Sequence, residues 1–354
     1  MKIGALKRGF CLLAALACLL ASAACGREQS APPPAGSIAS SDAQIETDSS
    51  ALADAAAYML RTVPEPSCGS VGGEWAVLGL ARGGCGDAAW FEIYFDNLVA
   101  YVQAQSGVLH ARKYTEYARV VLALTAIGKD PRDVGGYDLL APLGDFERVT
   151  FQGLNGAVFA LLALDAGGYA VPAAPAGQTQ ATREGYLAEI LTYAVPGGGF
   201  ALDEDAAADV DITAMALCAL APYCNDAAVR NAARDAFLWL AAAQGADGDY
   251  GSAESNAQVL IALAAYGIAP TDARFVKNGS STLDALRMYA VPGGGYCHAT
   301  GDAEANPMAS EQALLALAAV TRQAAGESGL YAMTADAAMP HLQLDADGGV
   351  NEEK

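Results

Sequence analysis

Two kinds of apolar stretch alternate along the chain from Ala51 to Arg322. One kind is apolar on nearly every side, as in Asp211 to Leu220 and Gln258 to Tyr266. The other is mixed: Asp226 to Ala243 and Ser281 to Ala290 carry Arg230, Arg234, Asp235, Asp284 and Arg287. A helix that is apolar all round is buried on both sides, whereas a mixed one keeps a solvent face. The alternation predicts helical hairpins in two layers, with the second helix of each hairpin inside. Ser281 with Asp284 reads as a capping box at the start of an outer helix. No run of alternating Val, Ile and Thr signals a strand.

The hairpins repeat roughly every 40 to 55 residues, the period of stacked units that cover one another's apolar faces. Glycine-rich corners closing on an aromatic mark the clearest copies: Tyr193-Ala-Val-Pro-Gly-Gly-Gly-Phe200, Gln244-Gly-Ala-Asp-Gly-Asp-Tyr250 and Tyr289-Ala-Val-Pro-Gly-Gly-Gly-Tyr296. Helix ends repeat too. Ala123-Leu-Thr-Ala-Ile-Gly-Lys-Asp-Pro131 has a near copy in Ala262-Leu-Ala-Ala-Tyr-Gly-Ile-Ala-Pro270, with glycine as the stop and proline beyond it. Inner helices are expected to start near Glu74, Glu116, Asn155, Asp211, Asn256 and Glu311. Six hairpins are enough to close a ring.

Outside the repeats the chain changes character. Lys2, Lys7 and Arg8 precede a short apolar run from Phe10 to Leu20, the layout of an export signal over residues 1–24. Ser22-Ala-Ala-Cys25 resembles a bacterial lipobox, which implies lipidation at Cys25 and a membrane-anchored, extracytoplasmic protein. Residues 25–50, rich in Ala, Ser, Pro and acid, read as a flexible tether, and residues 323–354 as a loosely held tail. The region 51–322 between them suits one domain. A formal charge of −20 repels phosphate backbones and argues against nucleic acid as partner. Beyond Cys25 stand Cys68, Cys85, Cys218, Cys224 and Cys297, an odd number whose pairing the sequence leaves open. Cys297-His298 lacks the spacing of a metal site, and no metal is expected.

Polar residues gather where the inner helices begin: Glu74 and Trp75; Tyr114, Glu116 and Arg119; Gln152 and Asn155; Asp209 and Asp211; Glu254, Asn256 and Gln258; Glu311 and Gln312. Each has an ordinary reading as a cap or dipole partner. In a closed ring, all six starts share one rim around a central cavity.

The repeats resemble the prenyltransferase and squalene-cyclase repeat superfamily. That resemblance implies an all-α fold, an α6/α6 toroid. Ala243-Gln-Gly-Ala-Asp-Gly-Asp-Tyr250 is similar to the family's glutamine-to-tryptophan repeat, with tyrosine in place of tryptophan. Asp209-Val-Asp-Ile-Thr-Ala214 resembles the cyclase segment in which Asp-x-Asp-Asp precedes Thr-Ala, and implies Asp211 as general acid; the last Asp of that motif is Ile212 here. The zinc ligands of the protein prenyltransferases have no convincing counterpart. Gly84-Cys-Gly-Asp-Ala88 matches half of the thioester motif of complement-like toroids and lacks its glutamine. Val210-Asp-Ile-Thr-Ala-Met-Ala216 is similar to a segment of extracellular cobalamin carriers, which implies cobalamin as a bound ligand and a separate lid partner. The favoured expectation is a surface-anchored protein that holds a bulky, largely apolar small molecule, isoprenoid- or corrinoid-like. A terpenoid-cyclase-like or prenyltransferase-like enzyme and a protein-interaction platform are the alternatives.

Overall fold

A computed structural model describes residues 41–203 and 205–335 and the single positions 340, 342 and 344. The export signal and Cys25 lie outside the described residues. Twelve α-helices account for most of what is described, and the only strands there are the two-residue pair Val276–Lys277 and Ser280–Ser281. The protein is all-α.

The inner helices begin where the polar clusters predict. They are α2 (Trp75–Arg82), α4 (Thr115–Ala126), α6 (Leu154–Ala166), α8 (Val210–Leu220), α10 (Ala253–Ala265) and α12 (Pro307–Ala324). Between them run α1 (Ser41–Thr62), α3 (Ala88–Ala104), α5 (Phe146–Thr150), α7 (Arg183–Thr192), α9 (Ala227–Ala243) and α11 (Thr282–Arg287). The inner set is buried almost throughout: in α6 every residue from Ala160 to Leu164 is solvent-inaccessible or nearly so. α2 packs on α4, α4 on α6, α6 on α8, α8 on α10, α10 on α12, and α12 on α2.

The repeated corners are one device used three times. Gly198 N–H donates to Val195 O, and Ala201 N–H to Tyr193 O at 3.0 Å; Gly294 and Cys297 do the same with Val291 O and Tyr289 O. The N–H of each terminal aromatic then donates to a polar side chain four residues past the next helix's N-cap. Phe200 pairs with Thr213 Oγ1 at 2.8 Å, Tyr250 with Asn256 Oδ1 at 3.3 Å, and Tyr296 with Ser310 Oγ at 2.9 Å. The caps themselves are Asp209, Ser252 and Asn306. Glycine is required inside the corner because the neighbouring outer helix approaches so closely. A Cβ at Gly198 (φ +101) would stand 2.5 Å from Asp235 O on α9, and one at Gly294 (φ +90) would stand 2.5 Å from Asp54 O on α1. The fourth hairpin thus seats its corner on the next outer helix, and the sixth seats its corner on the first. The Ser281–Asp284 capping box forms as predicted.

Both ends of the repeat region are better ordered than the sequence implies. α1 begins at Ser41, inside the stretch expected to be tether, and its Asp48 is buried in an ion pair with Arg287. α12 continues to Ala324, and residues 325–335 beyond it are tied to the helices by hydrogen bonds. Arg82 at the end of α2 donates to Gly329 O at 2.8 Å, Leu330 O at 2.9 Å and Ala332 O at 3.0 Å. Arg322 Nε donates to Ser328 O at 2.9 Å, Met333 N–H donates to Ala166 O at 3.1 Å, and Leu330 is buried. Sequence reading missed this because two arginines gripping main-chain carbonyls leave no pattern in the segment they grip.

Candidate functional site

The polar residues at the inner-helix starts separate into two groups. Asp209 and Asn256 serve the corners. Asp209 caps α8 by accepting from Asp211 N–H and Ile212 N–H, and Asn256 gives its amide to Ser252 O at 2.7 Å and to Asp249 while it accepts from Tyr250. The Asn256 amide and Asp209 Oδ1 are engaged in the fold.

The second group forms a buried electrostatic cluster where α2, α4 and α12 begin. Glu74 is fully buried and accepts from Arg119 Nε at 2.8 Å, from Tyr94 O–H at 3.1 Å and from Gly69 N–H at 3.1 Å. Each of these hydrogen-bond partners is a donor, the set that suits an acceptor-only carboxylate. Burial pushes its titration up, and Arg119, Gly69 and Tyr94 pull it back. Burial works against Arg119's charge, yet Glu74 and Glu116 more than offset this and hold the guanidinium above its usual range. Glu116 reaches Arg119 from one turn earlier on α4. Glu311 is 1 % exposed; one carboxylate oxygen accepts from Gly72 N–H, and the other has no partner. Burial first, then the nearby Glu74 charge, pushes the Glu311 carboxyl up to about 7.

The remaining predicted residues line the same end of the helices. Trp75 on α2 meets Phe159 on α6, ring centroids 5.7 Å apart. Gln258 donates to Gln312. Tyr114 packs beside Tyr117 and takes a long hydrogen bond from Arg148. Asn155 Oδ1 and Asp211 Oδ1 are buried without partners. Burial raises the Asp211 titration, while Ser255 on α10 lowers it. This end therefore combines side-chain contacts with unfilled acceptors.

A cavity of about 500 Å³ opens at the other end, where α6, α8 and α10 finish. Leu162, Ala219, Pro222 and Ala265 supply apolar wall, and the segment Gly329 to Ala332 closes one side. Its charged edge is neutralised internally: Arg183 Nε donates to Asp165 Oδ1 at 2.7 Å, and Tyr223 O–H donates to Asp165 Oδ2 at 2.8 Å. Cys218 lines the wall as a thiol that burial pushes up to about 12, so it is present as a small apolar surface rather than a nucleophile. None of the residues singled out at the helix starts lines this cavity. The available signal was the repeated helix ends, Leu164-Asp-Ala-Gly-Gly168 and Leu220-Ala-Pro222, which bring Asp165 and Pro222 to it. The chain matches no protein-family model and no curated protein.

Proposed function

We propose that the six inner helices close an α6/α6 toroid and that the chain binds a bulky, largely apolar small molecule at the end where those helices finish. Cyclic packing supports the toroid: each inner helix touches the next, α12 returns to α2, and the sixth corner seats on α1 as the fourth seats on α9. One observation carries the ligand reading, the cavity of about 500 Å³ with aliphatic walls and a self-paired charged edge. Ligand sites are commonly chambers of about 300 to 1,000 Å³, mostly apolar with a few convergent polar groups. Walls of this kind favour an isoprenoid-like ligand over a corrinoid, whose many amides would demand partners. The export signal and Cys25 support a lipid-anchored, extracytoplasmic location.

The enzyme reading ranks second. Asp211 is half-buried with its titration raised, as a general acid needs. It sits seven residues before Cys218 on α8, about 10 Å along the helix axis, so a ligand in the cavity presents its reacting carbon to Asp211 only if it extends up the ring. Native mass spectrometry of the mature protein from its own host tests binding. An apolar small molecule should co-purify and be depleted in Leu162→Trp, whose larger ring intrudes on the chamber from its wall. A fold-intact Leu162→Trp protein that retains the same ligand would refute the assignment.

A further inference from the structure

One wall of the cavity belongs to no helix. Gly329, Leu330, Tyr331, Ala332 and Thr334 line it, and all follow α12. Gly326 (φ +69) turns the chain out of that helix. From there the segment reaches three inner helices: α2 through Arg82, α10 where Gly329 lies against Ala265, and the end of α6 through Met333 N–H and Ala166 O.

Its attachment differs in kind from that of the other walls. The helices are held along their lengths by apolar packing against neighbours on both sides. The segment makes one main-chain hydrogen bond to the ring, that of Met333, and is otherwise held by Arg82 and Arg322, by the burial of Leu330 and by the half-buried side chains of Tyr331 and Met333 packed against the core. Arg82 makes no ion pair among the described residues; main-chain carbonyls of the segment accept its hydrogen bonds, with the Ser328 hydroxyl at 3.0 Å, and Glu327 acts on its charge from beyond ion-pair distance. Guanidinium and carbonyls are both rehydrated on release, so the polar bonds cost little to open. Segments with few backbone bonds to the core open locally, well below the free energy of global unfolding.

We propose that Ser328 to Thr334 is a strap that opens to admit ligand to this cavity, with Arg82 as its latch. The gating role rests on the binding reading above; the opening itself does not. A lock can be built into the full chain. A Cβ at Gly168 would stand 3.3 Å from Thr334 Cγ2, so Gly168→Cys with Thr334→Cys puts two thiols within disulfide reach. Cys218→Ala and Cys224→Ala in the same chain prevent mispairing.

Two readouts are combined: uptake of the neutral fluorophore N-phenyl-1-naphthylamine, and amide hydrogen exchange of the strap. The oxidised lock should take up probe at least ten-fold more slowly than its reduced form. Arg82→Ala should speed both uptake and strap exchange at least ten-fold while α10 stays protected. Equal uptake by oxidised and reduced lock, with probe bound in both, overturns the gate alone. Strap amides that exchange only with global unfolding, in wild type and Arg82→Ala alike, overturn the strap. Absence of probe binding in every form, with the strap still exchanging faster than α10, refutes the binding reading and the gating that depends on it, and leaves the measured opening intact.

Discussion

Replacing Glu311 by Gln should make the protein more stable at neutral and alkaline pH and leave it nearly unchanged in acid. Glu311 is buried beside Glu74, one of its oxygens has no donor, and its carboxyl rises from an ordinary 4.5 to about 7. The folded protein therefore holds a proton that the unfolded chain releases. A proton held in this way favours the native state below pH 4.5, and the advantage is lost as pH climbs through about 7. At about 1.4 kcal/mol per pKa unit, the loss is about 3 kcal/mol. Glutamine keeps the acceptor for Gly72 N–H and carries no charge at any pH. Urea unfolding followed by circular dichroism, on wild type and Glu311→Gln from pH 4 to 8.5, measures the difference directly. Their curves should nearly coincide in acid and separate by about 2 to 3 kcal/mol above pH 7, with the variant the more stable. A gap that does not change with pH would refute the reasoning, because it would mean that Glu311 does not titrate differently in the two states.

Two further substitutions probe the same end of the inner helices. Arg119→Met leaves the fully buried Glu74 without its cation and should cost about 3 to 5 kcal/mol, read as a lower urea midpoint; a loss under about 1 kcal/mol would show the pair to be energetically idle. Asp209→Ala removes the α8 cap and should cost about 0.5 to 2 kcal/mol while probe retention stays unchanged, since Asp209 serves the corner. A loss of retention at unchanged stability would return Asp209 to the ligand site.

The scaffold was readable because its signals are local. All-round apolar runs mark α8 and α10, glycine with a following proline marks the ends of α4 and α10, and polar residues mark the starts of the inner helices. The role of Asn256 was hidden for a physical reason. Thr213, Asn256 and Ser310 do the same work on a corner amide, and three residue types at one structural position do not look like a repeat. The cavity was harder still. Its walls come from the ends of three inner helices and from a segment that reads as tail, and only tertiary packing brings Leu162, Cys218 and Leu330 together. Polar residues at helix starts drew attention to the opposite rim, where Trp75 meets Phe159 and several side chains satisfy one another. The ionic strength of that cluster was legible only in part: Glu74, Glu116 and Arg119 stood out, whereas the contributions of Tyr94 and the Gly69 amide were not visible in sequence.

Closure of the ring is the claim on which the proposed toroid depends, and it is most directly tested where the first inner helix meets the last. A Cβ placed on Gly79 of α2 would stand 2.8 Å from Leu314 Cγ on α12. Gly79→Cys with Leu314→Cys, made with the other cysteines downstream of the signal replaced by Ala, should therefore form an intramolecular disulfide in near-quantitative yield on mild oxidation of the folded protein, mapped by peptide mass spectrometry. Two free thiols in a folded, oxidised protein would mean that α12 does not return to α2, and that the hairpins form an open array rather than a toroid.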